Sequence, residues 1–142
     1  MSSNVPTWYH GRPIVTGMAK ATALVVESGL SFAMGFDIES GRITDVHSPV
    51  VGERLTGRIL VMPLGRGSSS ASTAFAETLR LGTGPAGIIL RGVDEILAIG
   101  GLVARTLYGT NCPIVIAAEP DYQRIQPGTT IAIRADGAFR IT

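Results

Sequence analysis

The stretch Ile59-Leu60-Val61-Met62-Pro63-Leu64-Gly65-Arg66-Gly67-Ser68-Ser69-Ser70-Ala71-Ser72 reads as a strand, a turn and the start of a helix. Ile59–Met62 is a short unbroken apolar run, the pattern of a strand buried on both faces, as in a parallel sheet. Beyond the turn, Ala71, Ala74, Phe75, Thr78 and Leu79 recur at i, i+3, i+4, i+7 and i+8, which is one face of an amphipathic helix. Gly82 stands where that helix stops.

The same alternation continues downstream. Ile88-Ile89-Leu90 and Ile114-Val115-Ile116 are two more unbroken apolar runs. Between them Asp94 and Glu95 open a second helix, their charge suited to its N-terminal dipole. Ile96, Gly100, Val103, Ala104 and Leu107 form its predicted inner face, and Gly109 follows its end. The Gly100-Gly101 pair costs about 1 kcal/mol per glycine relative to alanine, so it is expected to mark a kink or a close helix–sheet contact. The expectation is a β-α-β-α-β core with right-handed crossovers.

Upstream, from Trp8 to Gly57, glycines punctuate short β-type runs such as Ala21–Val26. Asp37-Ile38-Glu39-Ser40-Gly41-Arg42 reads as a turn into a strand over Arg42–Val46, and an antiparallel layer is expected here. At the other end Gln126-Pro127-Gly128 makes a turn, Thr129–Arg134 a strand, and Asp136-Gly137 a tight hairpin into Ala138–Ile141. The predicted fold is α/β: one domain over residues 1–142, with an antiparallel layer, a small parallel sheet, and helices on one side.

Composition excludes several classes of function. Of 142 residues, 45% are apolar and 16% charged, which is a globular balance rather than a disordered one. A net charge of +1, with no basic stripe along any segment, argues against nucleic acid and membrane surfaces as partners. Cys112 is the only cysteine, and His10 and His47 have no metal-ligand spacing, so no metal site is expected in this chain. The N-terminal segment has no basic region followed by an apolar run, and no apolar stretch reaches the length of a membrane span. A cytoplasmic protein is expected.

The turn Gly65-Arg66-Gly67-Ser68-Ser69-Ser70 is the candidate site. A helix start has four amide N–H groups without intrahelical partners, and they favour a bound anion. Gly65 and Gly67 let the backbone approach a ligand closely. Ser68, Ser69, Ser70 and Ser72 add hydroxyls, and Arg66 adds a permanent fork of donors. Serine also caps helices, so one serine needs no functional account. Four within five positions exceed what capping requires. The order of residues is neither a Walker-type loop nor a dinucleotide fingerprint. No hydrolase triad is expected: His47 is within reach of the turn but is read as packing at a strand end. His10, beside Trp8 and Tyr9, is read as part of an N-terminal segment packed on the domain or on a partner, and Cys112 as a buried small hydrophobe.

Taken together these segments resemble the swivel domain, or small subunit, of the aconitase X family, over roughly Gly11 to Ala118. The marks are Ser31-Phe32 with Gly35, Asp37-Ile38-Glu39-Ser40-Gly41-Arg42-Ile43, Gly57 to Pro63, and the glycine–serine turn itself. Asp94 with Ile96-Leu97, then Leu107-Tyr108-Gly109 with Pro113, complete them. The chain departs from the family pattern at Ala33-Met34-Gly35-Phe36, where a bulkier aromatic and a glycine pair are expected. That loop is one that could face the active site.

The resemblance implies a three-layer β/β/α swivelling domain that closes over a large subunit. The large subunit is implied to carry an iron–sulfur cluster and most substrate contacts. The matching position for the catalytic base is Ser68. The helix N-terminus, the amides of Ser69 and Ser70, and Arg66 are candidates to support its ionised form, with Gly67 giving close approach. Arg66 is alternatively a clamp for a substrate carboxylate. Bacterial members resemble cis-3-hydroxy-L-proline dehydratases, which give Δ1-pyrroline-2-carboxylate. Archaeal two-chain members resemble mevalonate 5-phosphate dehydratases. With Lys20 its only lysine, the chain lacks the Lys/Glu enrichment of hyperthermophile proteins, which favours the hydroxyproline reading. A non-enzymatic anion-binding module is the competing class. A phosphohistidine carrier would need a histidine on the turn, which has none.

Overall fold

The computed structural model describes residues 7–142. Nine strands and three helices follow one another as β1 (Gly11–Val15), β2 (Ala19–Val25), β3 (Phe36–Asp37), β4 (Arg42–Ile43), β5 (Ile59–Met62), α1 (Ser69–Leu81), β6 (Gly87–Leu90), α2 (Glu95–Tyr108), β7 (Ile114–Ala117), α3 (Glu119–Tyr122), β8 (Thr130–Ile133) and β9 (Phe139–Ile141). Seven of the strands form one mixed sheet in the order β1-β7-β6-β5-β2-β8-β9, and β3 and β4 form a separate hairpin.

The three unbroken apolar runs are adjacent parallel strands, β5, β6 and β7. Each is buried on both faces, as its composition requires. One face, with Leu60, Met62, Ile88, Leu90 and Ile114, packs under α1 and α2 against Phe75 and Leu97. The other, with Ile59, Val61, Ile89 and Val115, packs on Ile131, Ile133 and Phe139 of the antiparallel arm. The sheet curls far enough for its edges to meet. Tyr9, just ahead of β1, exchanges backbone hydrogen bonds of 2.7 and 3.0 Å with Phe139 in β9. The α/β architecture is therefore as expected, with the antiparallel layer formed by the same sheet folded back on itself.

Three local expectations change. The run Ala21–Val26 is not an antiparallel hairpin strand throughout. Ala19–Thr22 pair antiparallel with β8, while Ala23–Val25 pair parallel with β5, so β2 is where the sheet turns from one arm to the other. The strand expected over Arg42–Val46 stops at Ile43. The N–H groups of Thr44 and Asp45 both donate to the Gly35 carbonyl, and the Asp45 carboxylate accepts the His47 N–H, which bends the chain into a turn with Val46 exposed.

The third change is the inner face of α2, which is Leu97, Gly100, Gly101 and Ala104, not the face that includes Ile96, Val103 and Leu107. The glycine pair is the reason. A Cβ on Gly100 would lie 2.7 Å from the Ser72 carbonyl oxygen of α1, and one on Gly101 would lie 3.3 Å from Ile114 in the sheet. The pair thus brings α2 against α1 and the sheet at once, rotating Val103 and Leu107 outward. Phe32, Phe36 and Phe75 fill the space beneath, with ring centroids 4.8 and 5.1 Å apart.

Candidate functional site

Strands β5 and β6 point the same way, so the starts of α1 and α2 lie together at their C-terminal ends, where ligands of open α/β sheets bind. The turn between β5 and α1 is held by its backbone. The Gly65 N–H donates to Asp94 Oδ2 at 2.9 Å, and the Arg66 N–H donates to the Leu30 carbonyl at 3.0 Å. Gly67 has φ +142°, and a Cβ there would sit 2.8 Å from that of Ala71, so only glycine fits. With the backbone fixed, the side chains from Arg66 to Ser70 all face solvent.

Ser68 occupies the N-cap position of α1, with extended backbone, yet its side chain makes no capping hydrogen bond. Its Oγ lies instead 3.0 Å from Ser70 Oγ. No acidic residue stands in the first turn of α1, and the Ser69 and Ser70 N–H groups have no intrahelical carbonyl to bond. The serines expected at the site are therefore brought together at an open, positively polarised helix start. Ser72 is only half exposed and belongs to the helix contact rather than to the turn.

Arg66 leads into a cleft of about 550 Å³ between the turn and two loops, lined by Ser31, Met34, Gly35, Asp45, His47 and Gly67. Its Nη1 lies 4.0 Å from Asp45 Oδ2. This corrects the placement of His47, which lines the site cleft instead of packing at a strand end. It also brings Met34 and Gly35, the segment that departs from the family pattern, to the same wall. A second cleft of about 370 Å³ runs along the other flank of the turn, bounded by Asp94, Glu95 and Ile96 at the start of α2.

Asp94 is the residue that sequence reasoning undervalued. Beyond matching a dipole, its Oδ1 accepts the Leu97 N–H at 3.1 Å while Oδ2 holds the Gly65 amide. Asp45 was likewise missed; an Asp two residues before His47 signals a turn but not the cleft it faces. His10 lies away from the site, in a surface depression with Trp8, Arg134 and Asp136. The N-terminal segment is packed on the domain there, with the Arg134 guanidinium 4.3 Å from the Trp8 ring centroid.

An iron–sulfur cluster finds no holder in this chain among the described residues. No three His, Cys, Asp or Glu side chains gather as ligands. Cys112, the one cysteine of the sequence, is buried, and burial pushes its thiol up to about 12. No helix among the described residues is long and apolar enough to cross a membrane.

Comparison with known proteins gives the family and the fold. A family model described as the aconitase X swivel domain matches residues 8–141. A cis-3-hydroxy-L-proline dehydratase of Pseudomonas aeruginosa is 43% identical over 108 residues, 76% of this chain but only 19% of that protein. The chain likewise covers 21% of the Hypocrea jecorina protein of the same name, so it spans about a fifth of the length of these relatives. The phosphomevalonate dehydratase small subunit of Pyrococcus furiosus is 35% identical over 127 residues, covering 89% of this chain and 87% of that one. The crystal structure of Thermococcus kodakaraensis aconitase X, in its holo form, superposes with a TM-score of 0.84 at 29% identity, over 96% of this chain and 98% of that one.

Proposed function

The chain belongs to the aconitase X family as a swivel domain, and from that premise we propose that it is the small subunit of a cytoplasmic two-chain hydro-lyase. It acts as one swivel domain over residues 1–142 and closes over a large subunit that carries most of the substrate contacts. The reaction is dehydration of cis-3-hydroxy-L-proline to Δ1-pyrroline-2-carboxylate, and the chain is inactive alone. The observation that carries this reading is the free hydroxyl of Ser68: it stands at an N-cap, caps nothing, and meets only Ser70.

Ser68 serves as the general base, its Oγ taking the proton from the substrate carbon. A serine alkoxide needs strong local support. The Ser70 hydroxyl stands 3.0 Å from that oxygen, and the positive end of α1, with the partnerless amides of Ser69 and Ser70, lies beside it and would supply the further donors once the side chain turns toward them. Gly67 keeps the approach open. Arg66 points into the cleft toward Asp45, which favours its role as a clamp for the substrate carboxylate over one as a support for Ser68. An iron–sulfur cluster, carried by the large subunit, would supply Lewis acidity to the departing hydroxyl. Closure of the two chains would exclude water and strengthen each electrostatic contact.

The test is reconstitution with the large subunit. Turnover of cis-3-hydroxy-L-proline is expected from the mixture and not from either chain alone, and Ser68→Ala is expected to lower it by about 10²- to 10⁴-fold. Activity of Ser68→Ala within a few-fold of wild type would remove the base assignment. A second reading, mevalonate 5-phosphate as substrate, is favoured by the near full-length match to the Pyrococcus small subunit. Turnover of that compound in place of hydroxyproline selects it. Tight anion binding by the isolated chain, unchanged by any partner, would select a non-enzymatic module.

A further inference from the structure

We propose that Asp45 sets the charge pattern of the substrate: it receives an ammonium while Arg66 receives the carboxylate on the same carbon, so the site favours an α-amino or α-imino acid over a phosphate-bearing hydroxy acid. The proposal rests on the dehydratase reading above and deepens it.

Both groups stand on the wall of one cleft, beside Gly67 and hence next to Ser68. Asp45 is held from three directions. Its Oδ1 accepts the His47 N–H at 2.9 Å, its own N–H donates to the Gly35 carbonyl at 3.3 Å, and Gly35 packs so closely that a Cβ there would lie 3.1 Å from Asp45 Cβ. Oδ2 is the oxygen nearest Arg66, and Asp45 lines the cleft beside it. On the other side the Arg66 backbone is tied to Leu30, while its guanidinium donates no hydrogen bond among the described residues.

The pair is stretched in a telling way. A charge-assisted hydrogen bond closes to about 2.7–2.9 Å, whereas Nη1 and Oδ2 stop at 4.0 Å, with the cleft open beside them. Each group therefore keeps unused valence toward that space. A zwitterion whose ammonium and carboxylate share one carbon satisfies both at once. A phosphate monoester presents about −1.5 to −2 charges at pH 7, besides its carboxylate. In this cleft it would meet one Arg already faced by a carboxylate, with His47 as the only other titratable group on the wall.

The test uses the reconstituted complex and two competitive inhibitors, L-proline and (S)-tetrahydrofuran-2-carboxylate, in which a ring oxygen replaces the ammonium. Wild type is expected to bind L-proline ~10- to 100-fold more tightly, the range for a hydrogen bond to a charged group. Asp45→Asn keeps the acceptor for the His47 N–H and removes only the charge. It should erase that preference, leave tetrahydrofuran-2-carboxylate binding nearly unchanged, and raise KM for hydroxyproline far more than it lowers kcat. Equal weakening of both inhibitors, or an unchanged preference with an unchanged melting temperature, overturns the role of Asp45 while leaving the dehydratase reading intact. A wild-type complex that does not turn over hydroxyproline overturns both.

Discussion

Helix α1 follows β5 and helix α2 follows β6, so their starts lie side by side at one end of the parallel sheet, yet Asp94 caps the second and no side chain caps the first. At α2 the carboxylate takes up the Leu97 N–H, and Glu95 adds a second negative charge in the first turn. That start is neutralised from within. At α1 the cap position holds a hydroxyl that bonds only Ser70, and the first turn contains no acid. The difference shows what a helix start is for. A sealed one has its donors occupied and serves stability, whereas an open one leaves donors and dipole unoccupied, an arrangement that favours a bound anion. The two are also coupled, because Asp94 seals its own helix with one oxygen and holds the Gly65 amide of the open turn with the other.

This contrast can be broken from either side. The largest effect is expected for Ser68→Ala in the reconstituted enzyme, a loss of about 10²- to 10⁴-fold in kcat, typical of a removed general base. Next is Gly100→Ala, which drives a methyl group against the Ser72 carbonyl where α2 meets the first turn of α1. Alanine gains about 1 kcal/mol in helix propensity. Overpacking against backbone costs about 1–3 kcal/mol, so a net loss in urea denaturation is expected. Asp94→Ala should lose about 1 kcal/mol for the cap, with the loosened Gly65 turn adding a fall in activity. Ser68→Ala should leave the unfolding midpoint nearly unmoved, since it removes no capping bond. A loss as large as that of Asp94→Ala would end the distinction between the two starts.

The smallest expected effect concerns the interior. With its pKa pushed up to about 12, Cys112 should resist alkylation at pH 8 until the protein is unfolded. Its folded pKa lies above the ordinary thiol value, so the unfolded chain releases this proton first as pH rises. Its contribution to stability is thus fully present below about pH 9 and is lost between there and pH 12. Labelling by a thiol reagent under native conditions would show the burial to be wrong.

Much of this was legible in order along the chain. Ile59–Met62, Ile88–Leu90 and Ile114–Ile116 announced strands buried on both sides because nothing polar interrupts them. The turn before Ala71 stood out because it held more serines than a cap requires. The face of α2 was misread because periodicity counts apolar residues, whereas Gly100 and Gly101 win the buried side by letting backbones approach. The reach of the strand after Gly41 was misread for a similar reason: the Gly35 carbonyl and the Asp45 side chain, not local β propensity, decide where it ends.

The sequence by itself determined the β-α-β-α-β succession and the crowding of serines at the turn into α1, because both follow from residues that are neighbours along the chain. Only the tertiary structure decided which remote groups meet that turn. Asp94 arrives from the next helix and Asp45 and His47 from a separate loop, all through contacts that close over long stretches of chain and leave no periodic trace. It also decided that Ser68 caps nothing, because whether a hydroxyl turns inward or outward is settled by the backbone that Gly65, Gly67 and Leu30 hold in place.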